Sequence, residues 1–173
     1  LKPPVGNFGA IMDTVTALLP GERAGKVIGK AGAGLKEARA SGCKISLGQD
    51  ADPSGLRRCA FEGSADQIGA GFHTVCGKAW MGETQEQITV QVMIAPERAG
   101  TVIGKGGAHL KQIREMTGVA IQVERDSVVN VSGVAERPMV LKGEARFLGQ
   151  ALRIALSFAT DLKGQGGGGG GGG

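Results

Sequence analysis

Residues Glu22–Arg39 read ERAGKVIGKAGAGLKEAR, and residues Glu97–Arg114 read ERAGTVIGKGGAHLKQIR; the two agree at 13 of 18 positions. Further along, Arg57-Arg-Cys-Ala-Phe-Glu-Gly63 answers Arg137-Pro-Met-Val-Leu-Lys-Gly143, and the residues added to the second copy fall mostly between Glu124 and Arg137. One unit is written twice, which is too few copies for a solenoid. The chain of 173 residues suits two small domains of about 70 residues, each with a modest core.

Both copies predict the same elements. Thr14 to Leu19 and Ile88 to Ile94 alternate or are β-branched, as strands are. After Pro20 or Pro96 comes a short helix ending in Val27-Ile28 or Val102-Ile103. Next is a turn bounded by glycine, Gly29-Lys30-Ala31-Gly32 or Gly104-Lys105-Gly106-Gly107. A second helix runs from Ala33 to Ser41 and from Ala108 to Thr117, and Gly42 or Gly118 stops it. Second strands cover Cys43 to Leu47 and Val119 to Val123, third strands Arg57 to Glu62 and Arg137 to Lys142. A longer helix closes each unit, Ser64 to Lys78 and Glu144 to Leu162. The order β-α-α-β-β-α predicts an α+β fold, each unit a three-stranded antiparallel sheet with three helices on one face.

The expected boundaries are a leader at 1–13, domains at 14–80 and 88–163, a linker at 81–87, and a glycine-rich flexible tail at 164–173. The start at Leu1 rather than Met suggests a fragment or a processed product. No stretch reaches the ~18 apolar residues of a membrane span, and no charged-then-apolar leader opens the chain.

The string Val-Ile-Gly-Lys-X-Gly between two helices, twice and in this element order, resembles the GXXG loop of type I KH domains. In its tandem arrangement the chain resembles the poly(C)-binding proteins, heterogeneous nuclear ribonucleoprotein K and Nova, over roughly Asp13 to Leu162. The resemblance implies binding of single-stranded RNA, with nuclear or cytoplasmic work on splicing, stability or translation.

The chemistry of the residues agrees. Glycine at both ends of a turn lets backbone approach a ligand with no Cβ in the way. The turn also opens a helix, whose unpaired N–H groups and dipole favour an anion. Lys30 and Lys105 add positive charge at the tips, as a phosphate backbone requires; the KH loop clamps about four nucleotides in this way. The resemblance puts the bases in an aliphatic groove floored by Val27, Ile28, Leu35 and Ile45, and by Val102, Ile103, Leu110 and Ile121. Ile28, Leu35, Ile103 and Leu110 read equally well as core; Ile45 and Ile121 are the stronger candidates for base contact. Such a groove excludes a duplex and suits pyrimidines.

By the same resemblance, Arg39 and Arg114 on the second helices, and Arg57 and Arg137 opening the third strands, are the specificity elements. Their forks of donors match base carbonyls as well as phosphates. Arg58 has no counterpart, since Pro138 stands there, and ranks lower. Arg23 and Arg98 precede the loops by six residues and are expected to pair with Glu22, Glu97 or other surface acids.

Other classes fall away. A Walker loop needs Gly-Lys followed by Ser or Thr, but Val27 follows Gly25-Lys26 and Ala31 follows Gly29-Lys30. No dinucleotide fingerprint and no nucleophile or carboxylate constellation is present, so no enzyme and no cofactor are expected. His73 and His109 lie far apart with no convergent cysteine, so no metal is expected. Cys43, Cys59 and Cys76 are odd in number and read as reduced core thiols.

There is no Tyr, and Phe8, Phe61, Phe72, Trp80, Phe147 and Phe158 cannot fill two cores and also make the base-stacking platforms of other RNA-binding modules. Residues 14–80 carry 9 Lys and Arg against 6 acids, and residues 88–163 carry 10 against 7. So small an excess suits local recognition of a few nucleotides rather than a polybasic duplex binder.

The units differ. The first is one residue shorter after Arg39 and has Ala38 where the second has Ile113, so the second is expected to be the stronger site. Val128, Val129 and Val131 of its longer loop either extend the hairpin or touch a ligand or partner. His109 stands beside the loop, either next to a bound base or as a surface residue. Two rival functions remain: binding of single-stranded DNA in transcriptional control, and protein interaction or dimerisation through a sheet edge or the last helices. An exposed Trp80, Phe147 or Phe158 would favour the latter.

Overall fold

Alternation along the first apolar run makes β1 (Asp13–Pro20), which turns Val15, Ala17 and Leu19 into the core. The structure, a computed structural model, describes residues 12–82, 87–124, 127–131 and 133–172. Phe8, most of the expected leader and Glu83 and Glu86 of the linker lie outside the described residues. Pro20 closes β1 and is followed by α1 (Gly21–Ile28), a single turn at Lys30–Gly32, and α2 (Ala33–Arg39). Strands β2 (Lys44–Leu47) and β3 (Leu56–Gly63) form a hairpin, and β3 pairs with β1 along its whole length.

Helix α3 (Ala65–Ala79) then covers the sheet. It starts on a capping box, in which Gln67 N–H donates to Ser64 Oγ at 3.2 Å and Ser64 N–H donates to Gln67 Oε1 at 3.0 Å. Its buried face, with Ile68, Phe72, Val75, Cys76 and Ala79, follows helical spacing. Phe72 meets Phe61 of β3 edge-on, with ring centroids 5.6 Å apart. Full burial of each such ring contributes about 1.5–3 kcal/mol.

The second unit repeats the plan as β4 (Ile88–Ile94), α4 (Pro96–Ile103), a turn at Lys105–Gly107, α5 (Ala108–Thr117), β5 (Ala120–Val123), β6 (Val129–Val131), β7 (Val134–Gly143) and α6 (Ala145–Gly172). Pro96 sits in the first turn of α4, where its missing N–H costs nothing, and the left-handed Gly118 ends α5. The extra residues of this copy make β6, paired to the start of β7, so the valine-rich loop extends the hairpin. The trace of α6 runs on to Gly172, past the boundary expected at residue 163. From Gly166 onward every residue is glycine, so this extension has no side chains with which to add packing.

The two three-stranded sheets are one sheet. Strand order is β2-β3-β1-β4-β7-β5, because β1 pairs antiparallel with β4 through Thr16↔Met93, Ala17↔Val92 and Leu18↔Gln91. Helices α3 and α6 pack against each other over this junction. The β1 and β4 edges and one face of each last helix are thus engaged within the chain, and β2 and β5 are the outer strands of the joined sheet. Arg98 of α4 reaches Asp13 of β1 at 3.0 Å in a buried ion pair, and Arg58 of β3 meets both carboxylate oxygens of Glu136 at 2.7 Å. Arg23 donates to the carbonyl of Ala79 at 2.9 Å and lies 5.0 Å over the Trp80 ring. Arg98 thus pairs with an acid, though a buried one on β1 of the other unit rather than one at the surface, and Arg23 reaches the C-terminal end of α3.

Candidate nucleic-acid interface

Each turn between the paired helices has a backbone that glycine makes possible. Gly29 has φ 71 and ψ −175, and Gly104 has φ 78 and ψ 173, a region essentially closed to other residues. Positions 31 and 32 are left-handed in the first unit and 106 and 107 in the second. In the first unit this forces Ala31 to φ 56, the one non-glycine positive φ among the described residues. Lys30 and Lys105 are exposed at the tips. Neither Gly32 nor Gly107 offers a side-chain cap; the N–H groups of Ala33 and Ala108 donate instead to the carbonyls of Lys30 and Lys105, so the turns themselves close the starts of α2 and α5 and leave the positive ends of the helix dipoles beneath the lysine tips.

Two hollows lie on the second unit, the first of them against the loop. One, of about 350 Å³, is lined by Pro96, Ala99, Gly100, Ile103, Gly104 and Arg137. The other, of about 220 Å³, is lined by Leu110, Lys111, Arg114 and Ile121. The first borders the loop at Gly104 and the second lies between α5 and β5; both mix aliphatic and polar lining, and each has one of the expected arginines on its wall. In the first unit Arg57 lies likewise beside Gly21, the position that corresponds to Pro96.

The groove residues divide by burial. Val27 and Val102 are fully buried and Ile45 is 2% exposed, with its Cδ1 turned toward Gly71 of α3. So deeply buried, these three offer little surface to a ligand, Ile45 because it packs against α3. Ile103 and Ile121 are also mostly buried but present an edge to the two clefts, and Ile28, Leu35 and Leu110 are half-buried.

The arginines are held differently. Arg39 donates from Nε and Nη2 to the carbonyl of Ile45, at 3.0 and 2.8 Å. Arg57 donates from Nε to Gly48 O at 2.7 Å, and Arg137 from Nη1 to Glu124 O at 3.0 Å. Arg137 Nε is buried without a hydrogen-bond partner, and Arg114 lines its cleft without the carbonyl contact that pins Arg39. Among the described residues, Arg114 and Arg137 together thus make fewer hydrogen bonds than Arg39 and Arg57.

Aromatic side chains add no stacking platform among the described residues. Phe61, Phe72 and Trp80 are buried, and Phe147 and Phe158 are half-buried against the core. Pro96, Ala99 and Gly100 escaped the sequence reading; with Ile103 they form a cleft wall legible in principle, as small and apolar residues at i, i+3, i+4 and i+7 of one helix. His109, which the sequence places beside the loop, is neither free at the surface nor alone: its ring packs between the loop and α6, a contact with no signal in the sequence.

Comparison with known proteins agrees with this geometry. Residues 14–76 and 89–146 each match the family described as the KH domain. Far upstream element-binding protein 1 of Rattus norvegicus is 26% identical over 179 residues, an alignment covering 94% of this chain and 27% of that protein. The Homo sapiens protein of the same name is 27% identical over 163 residues, covering 84% of this chain and 24% of that one. The chain spans about a quarter of the length of these curated relatives. Among solved structures, Dim2p from Pyrococcus horikoshii OT3 is similar at 15% identity and a TM-score of 0.31, covering 88% of this chain and 98% of that one.

Proposed function

Because the chain belongs to the KH-domain family, a non-catalytic module whose typical ligand is single-stranded RNA, we propose that it binds single-stranded, pyrimidine-rich RNA through both GXXG clefts and acts as a post-transcriptional regulator, in the manner of the poly(C)-binding proteins. The observation that carries this reading is the doubled loop: two lysine-tipped, glycine-bounded turns that each open a helix, the second beside a cleft that carries Arg137.

Phosphates sit over the glycines, where no Cβ blocks them, and the tip lysines and the positive ends of the helix dipoles supply the charge. Small pyrimidine rings enter the clefts, and the forks of Arg114 and Arg137, with Arg39 and Arg57 in the first unit, take base carbonyls. Exclusion of a duplex follows from the shallow clefts, since paired bases cannot splay into them. Nuclear or cytoplasmic residence belongs to the same proposal.

Fluorescence anisotropy with short C-rich, U-rich and mixed RNAs, beside DNA of the same sequences, tests this. Tighter binding of the pyrimidine RNAs than of a matched duplex is expected, with log K falling about 0.7 per log unit of salt for each phosphate contacted. Indifference to strandedness, or no dependence on salt, would overturn it. A second reading, single-stranded DNA as the ligand, draws on relatives named for binding a far upstream element; the DNA arm of the titration decides it.

A further inference from the structure

We propose that His109 is a positioning residue for the second loop, locking it to α6 through Phe158. The proposal rests on the reading of that loop as a nucleic-acid clamp and assigns the part that holds it in shape.

His109 lies in the first turn of α5, two residues beyond Gly107. Its Nδ1 is 2.7 Å from the carbonyl oxygen of Thr101, in the last turn of α4. A carbonyl only accepts, so Nδ1 carries the proton and donates. One side chain thus ties together the two helices from which the loop hangs. The imidazole also lies flat against the Phe158 ring, with centroids 4.2 Å apart and planes 12° from parallel. On the loop side it occupies the space beside Gly104: a Cβ there would stand 2.6 Å from His109 Cγ. Glycine at 104 serves the backbone conformation and also makes room for the ring.

The first unit is built otherwise. Gly34 takes the place of His109, and a Cβ on it would stand 2.0 Å from the carbonyl oxygen of Val27. There α1 and α2 meet backbone to backbone, and no side chain fits between them. The position corresponding to Phe158 is Lys78, which pairs with Glu37 of α2 at 2.8 Å. Hence the first loop is seated by direct helix contact, whereas the second depends on an imidazole wedge keyed into α6. Since α6 packs on α3 of the first domain, the wedge connects the second loop to the element that joins the domains.

The test uses the full chain with the first loop inactivated by Lys30→Asp and Ala31→Asp, so that a short pyrimidine RNA reports on the second site. His109→Ala is expected to speed amide hydrogen exchange at Gly104 and Gly107 and to weaken RNA binding, each about tenfold, as loss of a hydrogen bond does. His109→Asn restores an N–H near the same place and is expected to recover most of the protection, while Phe158→Leu loosens the loop with the bond still present. Exchange at Gly29 and Gly32, read in the chain with its first loop intact, should not change. A folded His109→Ala chain with unchanged exchange, or an Asn variant no better than Ala, would overturn the brace. Faster exchange with unchanged RNA affinity would overturn the positioning role. Failure of the parent chain to bind any of the RNAs would instead defeat the clamp reading, leaving the exchange results to decide whether His109 holds the loop.

Discussion

Gly69 and Gly149 are counterparts in the repeat, and they lie against each other where α3 crosses α6. A Cβ on Gly69 would stand 3.1 Å from Gly149 O and 2.6 Å from Arg153 Cβ, and one on Gly149 would stand 2.7 Å from Gly69 O. In the sheet Ala17 is paired with Val92, again its own counterpart. Both contacts place a pseudo-twofold axis through the domain junction. Valine at position 149 would force the helices apart, at a cost of about 1–3 kcal/mol as other overpacked sites show. The buried residues of both halves form one continuous core, so Gly149→Val is expected to lower the midpoint of the urea transition, followed by Trp80 fluorescence. A single transition at the parent midpoint would show that the crossing tolerates the side chain.

The same axis makes β1 and β4 antiparallel, so the strands leading into the two loop-bearing helices run in opposite directions. A nucleic acid entering both clefts with the same polarity must therefore turn between them. Two pyrimidine tracts joined by a flexible spacer are expected to bind more tightly than the same tracts joined directly, by up to roughly 10²-fold, since the second contact becomes intramolecular only when the spacer permits it. A spacer series measured by isothermal titration checks this, and a flat series would contradict it.

Asp13 and Arg98 join β1 of one domain to α4 of the other with side chains only 7% and 12% exposed. Breaking such a pair from one side leaves a buried charge and costs roughly 3–5 kcal/mol, whereas removing both charges is far milder. Arg98→Met is thus expected to lower the urea midpoint sharply, and Asp13→Leu added to it should recover much of the loss. An Arg98→Met chain as stable as the parent would contradict this account of the junction.

How much of this the sequence disclosed depends on the range of the interaction. The helix–turn–helix around Gly29–Gly32 and Gly104–Gly107 was legible because glycine spacing and apolar period are local signals, and the repeat doubled them. Arg58 shows what was not legible. Its partner Glu136 is 78 residues away, and nothing in either neighbourhood marks the pair. Nor does alternation distinguish a residue that floors a groove from one that fills a core, so Ile45 and Ile121 read alike although Ile45 faces α3 and Ile121 lines a cleft. Gly34 and His109 are aligned positions with opposite physical roles, which only the distance between the flanking helices reveals.

Burial pushes the Cys43 thiol up to about 11 and the Cys59 thiol up to about 12 from an ordinary value of 9.0, and it raises Cys76 likewise. Unfolded thiols ionise near pH 9 while the folded ones stay protonated, so the folded state binds more protons above that point. Their contribution to stability is then complete below pH 9 and is lost as pH rises toward 11–12. Urea midpoints between pH 7 and pH 10.5 are expected to fall more steeply for the parent than for a chain with all three cysteines changed to alanine. Equal slopes would contradict the burial account.

The central claim is that the two loops hold nucleic acid. Lys30→Asp, Ala31→Asp, Lys105→Asp and Gly106→Asp combined reverse the charge at both tips, and aspartate tolerates the left-handed backbone at positions 31 and 106. Anisotropy with the best-bound pyrimidine RNA, with circular dichroism to verify the fold, is predicted to show affinity reduced about 10²-fold or more, the size expected from losing several phosphate contacts. A folded variant that binds as well as the parent would place the ligand elsewhere and contradict the account.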